Sequence, residues 1–308
     1  MAVAASALAQ GDDGPPAWAY AVNPPAFSPP PDDGIPRRVP GSAAAFTLTQ
    51  TRNLFFAPDW HPDDHPPMPD IVSQGRRPAV MACGSCHRAD GSGGPENAGL
   101  AGLPIEYFRQ QIAEFRSGAR GTSVPGRAPT QLMIATARSM TSEEVEAAAA
   151  YFAAIRPRAA IRVVEAEQVP STQVTGWYLV PQGGGGTEPI GRRVIEVPED
   201  PDSFALRDGR ARFVAYAPPG SLERGRVLAT TDAGDAVQCS ACHGPALRGV
   251  GAVPGIAGRS PSYMVRQFYD YRTGARAGAD SAPMRSVVES LSPDDLVAVA
   301  AYAASLTP

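Results

Sequence analysis

Cys239-Ser240-Ala241-Cys242-His243 and its earlier twin, Cys83-Gly84-Ser85-Cys86-His87, decide how this chain is read. Two thiols three positions apart, followed at once by histidine, form the attachment signature of a c-type haem. The sulfurs reach the two vinyl groups along one porphyrin edge and become thioethers. The adjoining imidazole is then held under the ring, where it binds iron from the proximal side. The chain has 4 Cys and 4 His, and the two pentapeptides use every Cys and half of the His. Paired cysteines also serve zinc knuckles, disulfides and redox dithiols. Zinc would want further Cys or His at ligand spacing, and only His61 and His65 remain. The preferred reading is two covalently bound haem c groups, each with its iron. Cys83 and Cys86 hold one and Cys239 and Cys242 the other, with His87 and His243 as proximal ligands.

Around these motifs the chain repeats itself. Cys83 and Cys239 are 156 positions apart, and Arg116-Ser-Gly-Ala-Arg120 and Arg272-Thr-Gly-Ala-Arg276 keep that offset. Tyr107 and Tyr263, and Gln111 and Gln267, match at the same shift. Beyond them Met133 pairs with Met284 and Tyr151 with Tyr302 at an offset of 151, so the second copy is five residues shorter before its methionine. One plan used twice is the plain reading. Each methionine stands eight residues before the N-cap of a final helix, Thr141 or Ser292. A thioether at that place suits the sixth position of the iron, where it favours the ferrous state and raises the potential. Met133 and Met284 are therefore the expected distal ligands. Met140, which aligns with Leu291, is the fallback in the first copy, and Met68 is less suited because it is far from either motif. The second ring nitrogen of a proximal histidine usually donates to a carbonyl. Val253-Pro254-Gly255 is the loop expected to supply it in the second copy, with Ala98 standing where Pro254 stands in the first. That departure is expected to soften the first site. Tyr107, Tyr263, Arg116, Arg120, Arg272 and Arg276 are candidates for haem propionates, or equally for ordinary helix surface.

The helices follow from periodicity. Ile105, Phe108, Ile112 and Phe115 make one apolar face behind Pro104. Thr141-Ser-Glu-Glu144 and Ser292-Pro-Asp-Asp295 open final helices with stripes Val145, Ala148, Ala149, Phe152 and Leu296, Val299, Ala300, Ala303. Residues 159–220 change character. Ile161–Glu165, Gly176–Val180, Arg193–Val197 and Arg212–Tyr216 read as short strands of a small antiparallel insert, with Gly183 to Gly186 as a hairpin tip rather than a phosphate cradle. Residues 10–69 are rich in Pro and Asp. Their aromatics (Trp18, Tyr20, Phe27, Phe46, Phe55, Phe56, Trp60) point to an extended segment anchored on another surface. Within it, His61 and His65 read as members of a turn-rich loop rather than ligands.

Net charge is −4 and pI about 5.6, with 19% charged residues, which excludes a nucleic-acid-binding reading and suggests partners with a basic face. No run approaches the roughly 18 apolar residues of a membrane span. Residues 1–9, ending in Ala7-Leu8-Ala9, read as the remnant of a secretory signal. Export to the periplasm agrees with haem attachment outside the cytoplasmic membrane.

On these motifs the halves resemble class I c-type cytochromes, and the doubled plan is similar to dihaem cytochromes of the cytochrome c4 type. The resemblance implies a mainly α fold: cytochrome c domains over 70–158 and 221–308, joined by the irregular, short-β insert 159–220 and preceded by the Pro-rich extension 10–69. It implies His/Met iron and outer-sphere transfer of single electrons between redox protein partners, with no bond made in a substrate. The extension and the insert do not belong to the c4 pattern, so the close, symmetric domain pairing of that family is not expected here. An alternative to a free carrier is the electron-transfer subunit of a larger dehydrogenase or respiratory complex, with the extension and the insert as its docking surfaces. The rival reading is a dihaem enzyme, of the peroxidase or thiosulfate-oxidising type. A peroxidase needs an open iron, and a thiosulfate-type site often uses a Cys ligand, for which no Cys is spare.

Overall fold

In the computed structural model residues 14–231 and 238–308 are described, and the signal remnant expected over residues 1–9 lies outside them. Residues 14–69 form an extended strap with one short α-helix, α1 (Leu48–Arg52), capped by Thr47, and a single 3-10 turn over Pro62–Asp64. Its aromatics anchor it at both ends. Tyr20 is buried in the core of the second haem-motif half, its hydroxyl 3.0 Å from both the Arg266 carbonyl and Asp270 Oδ1. At the other end Trp60 is 3% exposed, packs edge-on to Phe46, and donates its indole N–H to the Leu206 carbonyl at 2.8 Å. The spare histidines serve this end as well. His61 Nε2 lies 3.0 Å from Asp208 Oδ1, and His65 Nε2 lies 3.2 Å from Asp59 Oδ1.

The first haem-motif half comprises α2 (Asp70–Ser73), α3 (Cys83–His87), α4 (Ile105–Ser117), α5 (Ala128–Ser139) and α6 (Ser142–Ala153). The stripe on α4 meets the stripe on α6: Phe108 and Ile112 are buried with Val145, Ala148, Ala149 and Phe152, and the rings of Phe108 and Phe152 stack at 6.2 Å. Burying a side chain such as Phe152 contributes about 1.5–3 kcal/mol. The Thr141 capping box forms as read: Thr141 Oγ1 accepts from Glu144 N, and the Glu144 carboxylate accepts from Thr141 N.

The insert contains β1 (Ile161–Glu165), β2 (Gln168–Pro170), β3 (Thr172–Thr175), β4 (Tyr178–Pro181), β5 (Thr187–Pro189), β6 (Ile195–Pro198), α7 (Pro201–Ala205) and β7 (Phe213–Ala217). Two expectations are corrected here. The insert is not purely antiparallel: its main sheet runs β1-β7-β6, with β1 parallel to β7 and β6 antiparallel to it. A parallel pair needs a long crossover, which the intervening chain supplies. The hairpin tip is not Gly183 to Gly186, which join β4 to β5, but Gly176-Trp177 between β3 and β4. Both tip residues have positive φ, 57° and 74°, as a two-residue hairpin turn of the tight mirror-image type requires.

The second half comprises α8 (Ser221–Thr230), α9 (Cys239–His243), α10 (Pro261–Arg272), α11 (Ala282–Ser290) and α12 (Pro293–Ser305). Helix α8, which the sequence reading passed over, crosses α12 so closely that a Cβ on Gly225 would lie 2.1 Å from the Ala298 carbonyl oxygen. The apolar stripe of α12 fills this half's core, while Val297 on its other side packs against Val194 and Ala215 of the insert. The insert is thus seated on the last helix rather than hanging free.

Candidate functional site

Helices α3 and α9 are single turns that carry the two pentapeptides. Positions i and i+3 share one helix face, so each turn presents its two sulfurs together. The chain must leave each histidine with positive φ: Gly244 does so at 77°, and Arg88 does so at 70°. For arginine that backbone is strained. Arg88 is held there by burial at 1% exposed and by an ion pair to Glu96 Oε1 at 3.1 Å.

His87 Nδ1 lies 2.8 Å from the Ala98 carbonyl, and His243 Nδ1 lies 2.8 Å from the Pro254 carbonyl. A carbonyl only accepts, so Nδ1 carries the proton and Nε2 is left free to bind a metal. Burial pushes both imidazoles below the usual histidine range, which keeps them neutral. The acceptor loop read from Val253-Pro254-Gly255 is correct, and Ala98 in the first copy gives a bond of equal length. The departure from Pro254 to Ala98 therefore leaves the length of this bond unchanged.

The cysteines do not look like redox thiols. Burial, with the neighbouring Cys86, pushes the Cys83 thiol up to about 12, and burial raises Cys239 as well. A thiol–disulfide exchanger needs the opposite shift. Nor is there a zinc cluster: among the described residues no three His, Cys, Asp or Glu are grouped to hold a metal.

Met133 on α5 and Met284 on α11 are both partly buried and border the same cavity as the thiols and imidazoles. Both helices were missed in the sequence, although the methionines on them were singled out. Met140 also borders the cavity but belongs to the core of the first half, 6% exposed. Met68 packs against that core from outside. The cavity is continuous, about 970 Å³, and reaches both pentapeptides and both methionines. A single small-molecule site seldom exceeds ~1,000 Å³, and this one serves two attachment motifs. The donor sets fit two haems: two sulfurs and one oriented imidazole at each, with a thioether bordering the same space.

The sequence profile described as Cytochrome c matches residues 72–155 and 222–307. The chain belongs to this family. It is a dihaem class I c-type cytochrome, mainly helical, with two covalently bound haem c groups. It is 31% identical over 236 residues to the thiosulfate dehydrogenase electron acceptor of Stutzerimonas stutzeri, covering 75% of this chain and 82% of that protein. It is 32% identical over 132 residues to cytochrome c4 of Azotobacter vinelandii, covering 38% of this chain and 63% of that one. Among solved structures it is similar to thiosulfate dehydrogenase (TsdBA) from Marichromatium purpuratum, with a TM-score of 0.51 and 29% identity. That match covers 77% of this chain and 39% of the other.

In this cytochrome the two haem-motif halves meet reciprocally, against the expectation that strap and insert would disturb a symmetric pairing. Arg120 of the first half donates to Tyr263 Oη at 2.7 Å, and Arg276 of the second donates to Tyr107 Oη at 2.8 Å. Each guanidinium also reaches both Gln111 Oε1 and Gln267 Oε1. Their backbones pair as an isolated antiparallel bridge. Burial alone would raise the Tyr107 phenol, but Arg276 and Arg120 together hold it below its ordinary value. Both arginines are buried, border the cavity, and donate these bonds to neutral acceptors. Buried cations call for anions, and haem propionates would provide them. Arg116 and Arg272, grouped with them in the sequence reading, act elsewhere. Arg116 donates to the Ala137 and Met140 carbonyls, and Arg272 to the Val288 and Leu291 carbonyls, so each caps the C-terminal end of a methionine-bearing helix.

Proposed function

We propose that this cytochrome carries single electrons through two His/Met-ligated haems and that its donor is a thiosulfate dehydrogenase. One haem is attached at Cys83 and Cys86 with His87 and Met133 on its iron. The other is attached at Cys239 and Cys242 with His243 and Met284. The observation that supports this reading is the equivalence of the two sites. Each has an Nδ1–carbonyl bond of 2.8 Å and a methionine bordering the one shared cavity. Iron closed on both faces exchanges electrons without taking up ligands, and the protein's work is to orient the haems and set their potentials. On this reading the chain makes no bond in a substrate and is not itself an enzyme.

The donor assignment rests on likeness across most of a thiosulfate dehydrogenase electron acceptor and on the resemblance to TsdBA. The strap 14–69 and the insert would then belong to the docking surface of that partnership. The protein would work in the periplasm, where its haems are attached, and among the described residues no helix is long and apolar enough to cross a membrane. Mixing the oxidised protein with thiosulfate and a thiosulfate dehydrogenase is expected to reduce both haems, followed by their visible bands. Thiosulfate alone should leave them oxidised. Steady oxidation of thiosulfate by this chain with no dehydrogenase present would replace the carrier with an enzyme.

A further inference from the structure

Arg259 follows the proximal-histidine loop of the second half, yet it reaches into the first. Its Nη1 donates to the Gly99 carbonyl at 2.9 Å and its Nη2 to the Ala101 carbonyl at 2.7 Å. Its Nε donates to the Gly255 carbonyl at 3.3 Å. Gly99 follows Ala98, whose carbonyl holds His87, and Gly255 follows Pro254, whose carbonyl holds His243. One side chain therefore ties together the two loops that orient the proximal imidazoles. The approach is close: a Cβ on Gly99 would lie 2.9 Å from Arg259 Nη1.

The repeat gives this bridge no twin. The position 156 residues earlier is Leu103, so the duplicated plan does not supply a second copy. These three hydrogen bonds all go to neutral carbonyls, and the guanidinium borders the cavity shared by both sites. Burial draws it down to about 10, with the Tyr107 and Tyr263 phenols acting the other way, so it remains a cation at neutral pH. A fixed positive charge on the wall of the cavity that would hold both haems would oppose the extra charge of their oxidised states and favour reduction of both.

We infer that Arg259 is a positioning residue that joins the two proximal-histidine loops and, through its charge, raises the reduction potential of both haems together. The inference rests on the ligand assignment proposed above. It separates this protein's pairing of haems from a simple meeting of two independent domains, because a single residue on one half then acts on both irons.

The test is a redox titration of the holoprotein and of Arg259→Leu, Arg259→Gln and Arg259→Lys, with haem counted per chain in each. The leucine matches Leu103, the glutamine is neutral but keeps a donor, and the lysine keeps the charge. Both neutral variants are expected to lower both midpoints by at least the equivalent of a tenfold change in the reduction equilibrium, about 59 mV for one electron. The lysine variant is expected to stay within about threefold of the parent. Neutral variants with two haems and unmoved midpoints, or a shift confined to one haem, would overturn the inference. If the neutral variants lose haem, Arg259→Lys decides. Two haems with midpoints near the parent's support the bridge, and a tenfold shift there overturns it. A parent protein with fewer than two haems, or with an open iron, would strike the ligand assignment instead, and that is read before any variant is made.

Discussion

Replacing Met284 with alanine is expected to open the sixth position of the second haem while leaving the first closed. Met284 sits in the first turn of α11, partly buried, and borders the cavity that also reaches Cys239, Cys242 and His243. A thioether stabilises ferrous iron, and axial ligands set haem potentials over a span of about 0.8 V. Its loss should lower one of the two midpoints by on the order of 0.1 V or more. It should also let one equivalent of carbon monoxide bind per reduced chain. Met133→Ala is expected to do the same at the first haem. Met140→Ala provides the contrast, because Met140 is a buried member of the first half's core. It should cost about 2–5 kcal/mol of stability and open neither iron. A Met284→Ala protein that binds no carbon monoxide and keeps both midpoints would show that the thioether is not the ligand.

Gly225→Val is expected to unfold the second half selectively. Any Cβ at that position would meet the Ala298 carbonyl oxygen at 2.1 Å and Tyr302 Cβ at 2.6 Å. The first obstacle is backbone of α12, which cannot rotate aside, so the two helices must separate. Overpacking of this kind costs about 1–3 kcal/mol, and the upper end applies where backbone has to move. The consequence reaches the haem because α8 leads toward α9 and α12 fills the core behind it. Thermal melts followed at each haem's band should show the second haem, still held by its thioethers, losing its axial ligation several degrees before the first. Gly126→Ala is the control, since a Cβ there meets nothing within 4 Å. Equal melting of both variants would remove the α8–α12 crossing from the account.

What the sequence revealed and what it hid divide along a physical line. The capping boxes at Thr141 and Ser292 and the stripes on α4, α6 and α12 are local patterns, and all appear as read. The carbonyl loop at Pro254 was legible because it lies eleven residues from His243 in a repeated plan. Helix α8 was hidden because Gly225 weakens its propensity, and its reason for being helical is the distant surface of α12. The parallel pairing of β1 with β7 was hidden because a strand's own residues do not show which way its partner runs. The split between Arg116 and Arg272 on one side and Arg120 and Arg276 on the other could not be read from an offset. Each pair keeps the repeat equally well, and only the meeting of the halves assigns them different acceptors. Arg259 was hidden for the opposite reason: it breaks the repeat, with Leu103 at its place in the first copy, and its acceptors lie in the other half.

The most direct test of the account is a redox titration of the holoprotein followed by visible and near-infrared absorption, with carbon monoxide added to the reduced form. The expected result is two haems per chain, methionine bound to both irons, one electron taken up by each, and no carbon monoxide adduct. One haem per chain, or an iron that lacks methionine and takes up carbon monoxide readily in the unmodified protein, would contradict it.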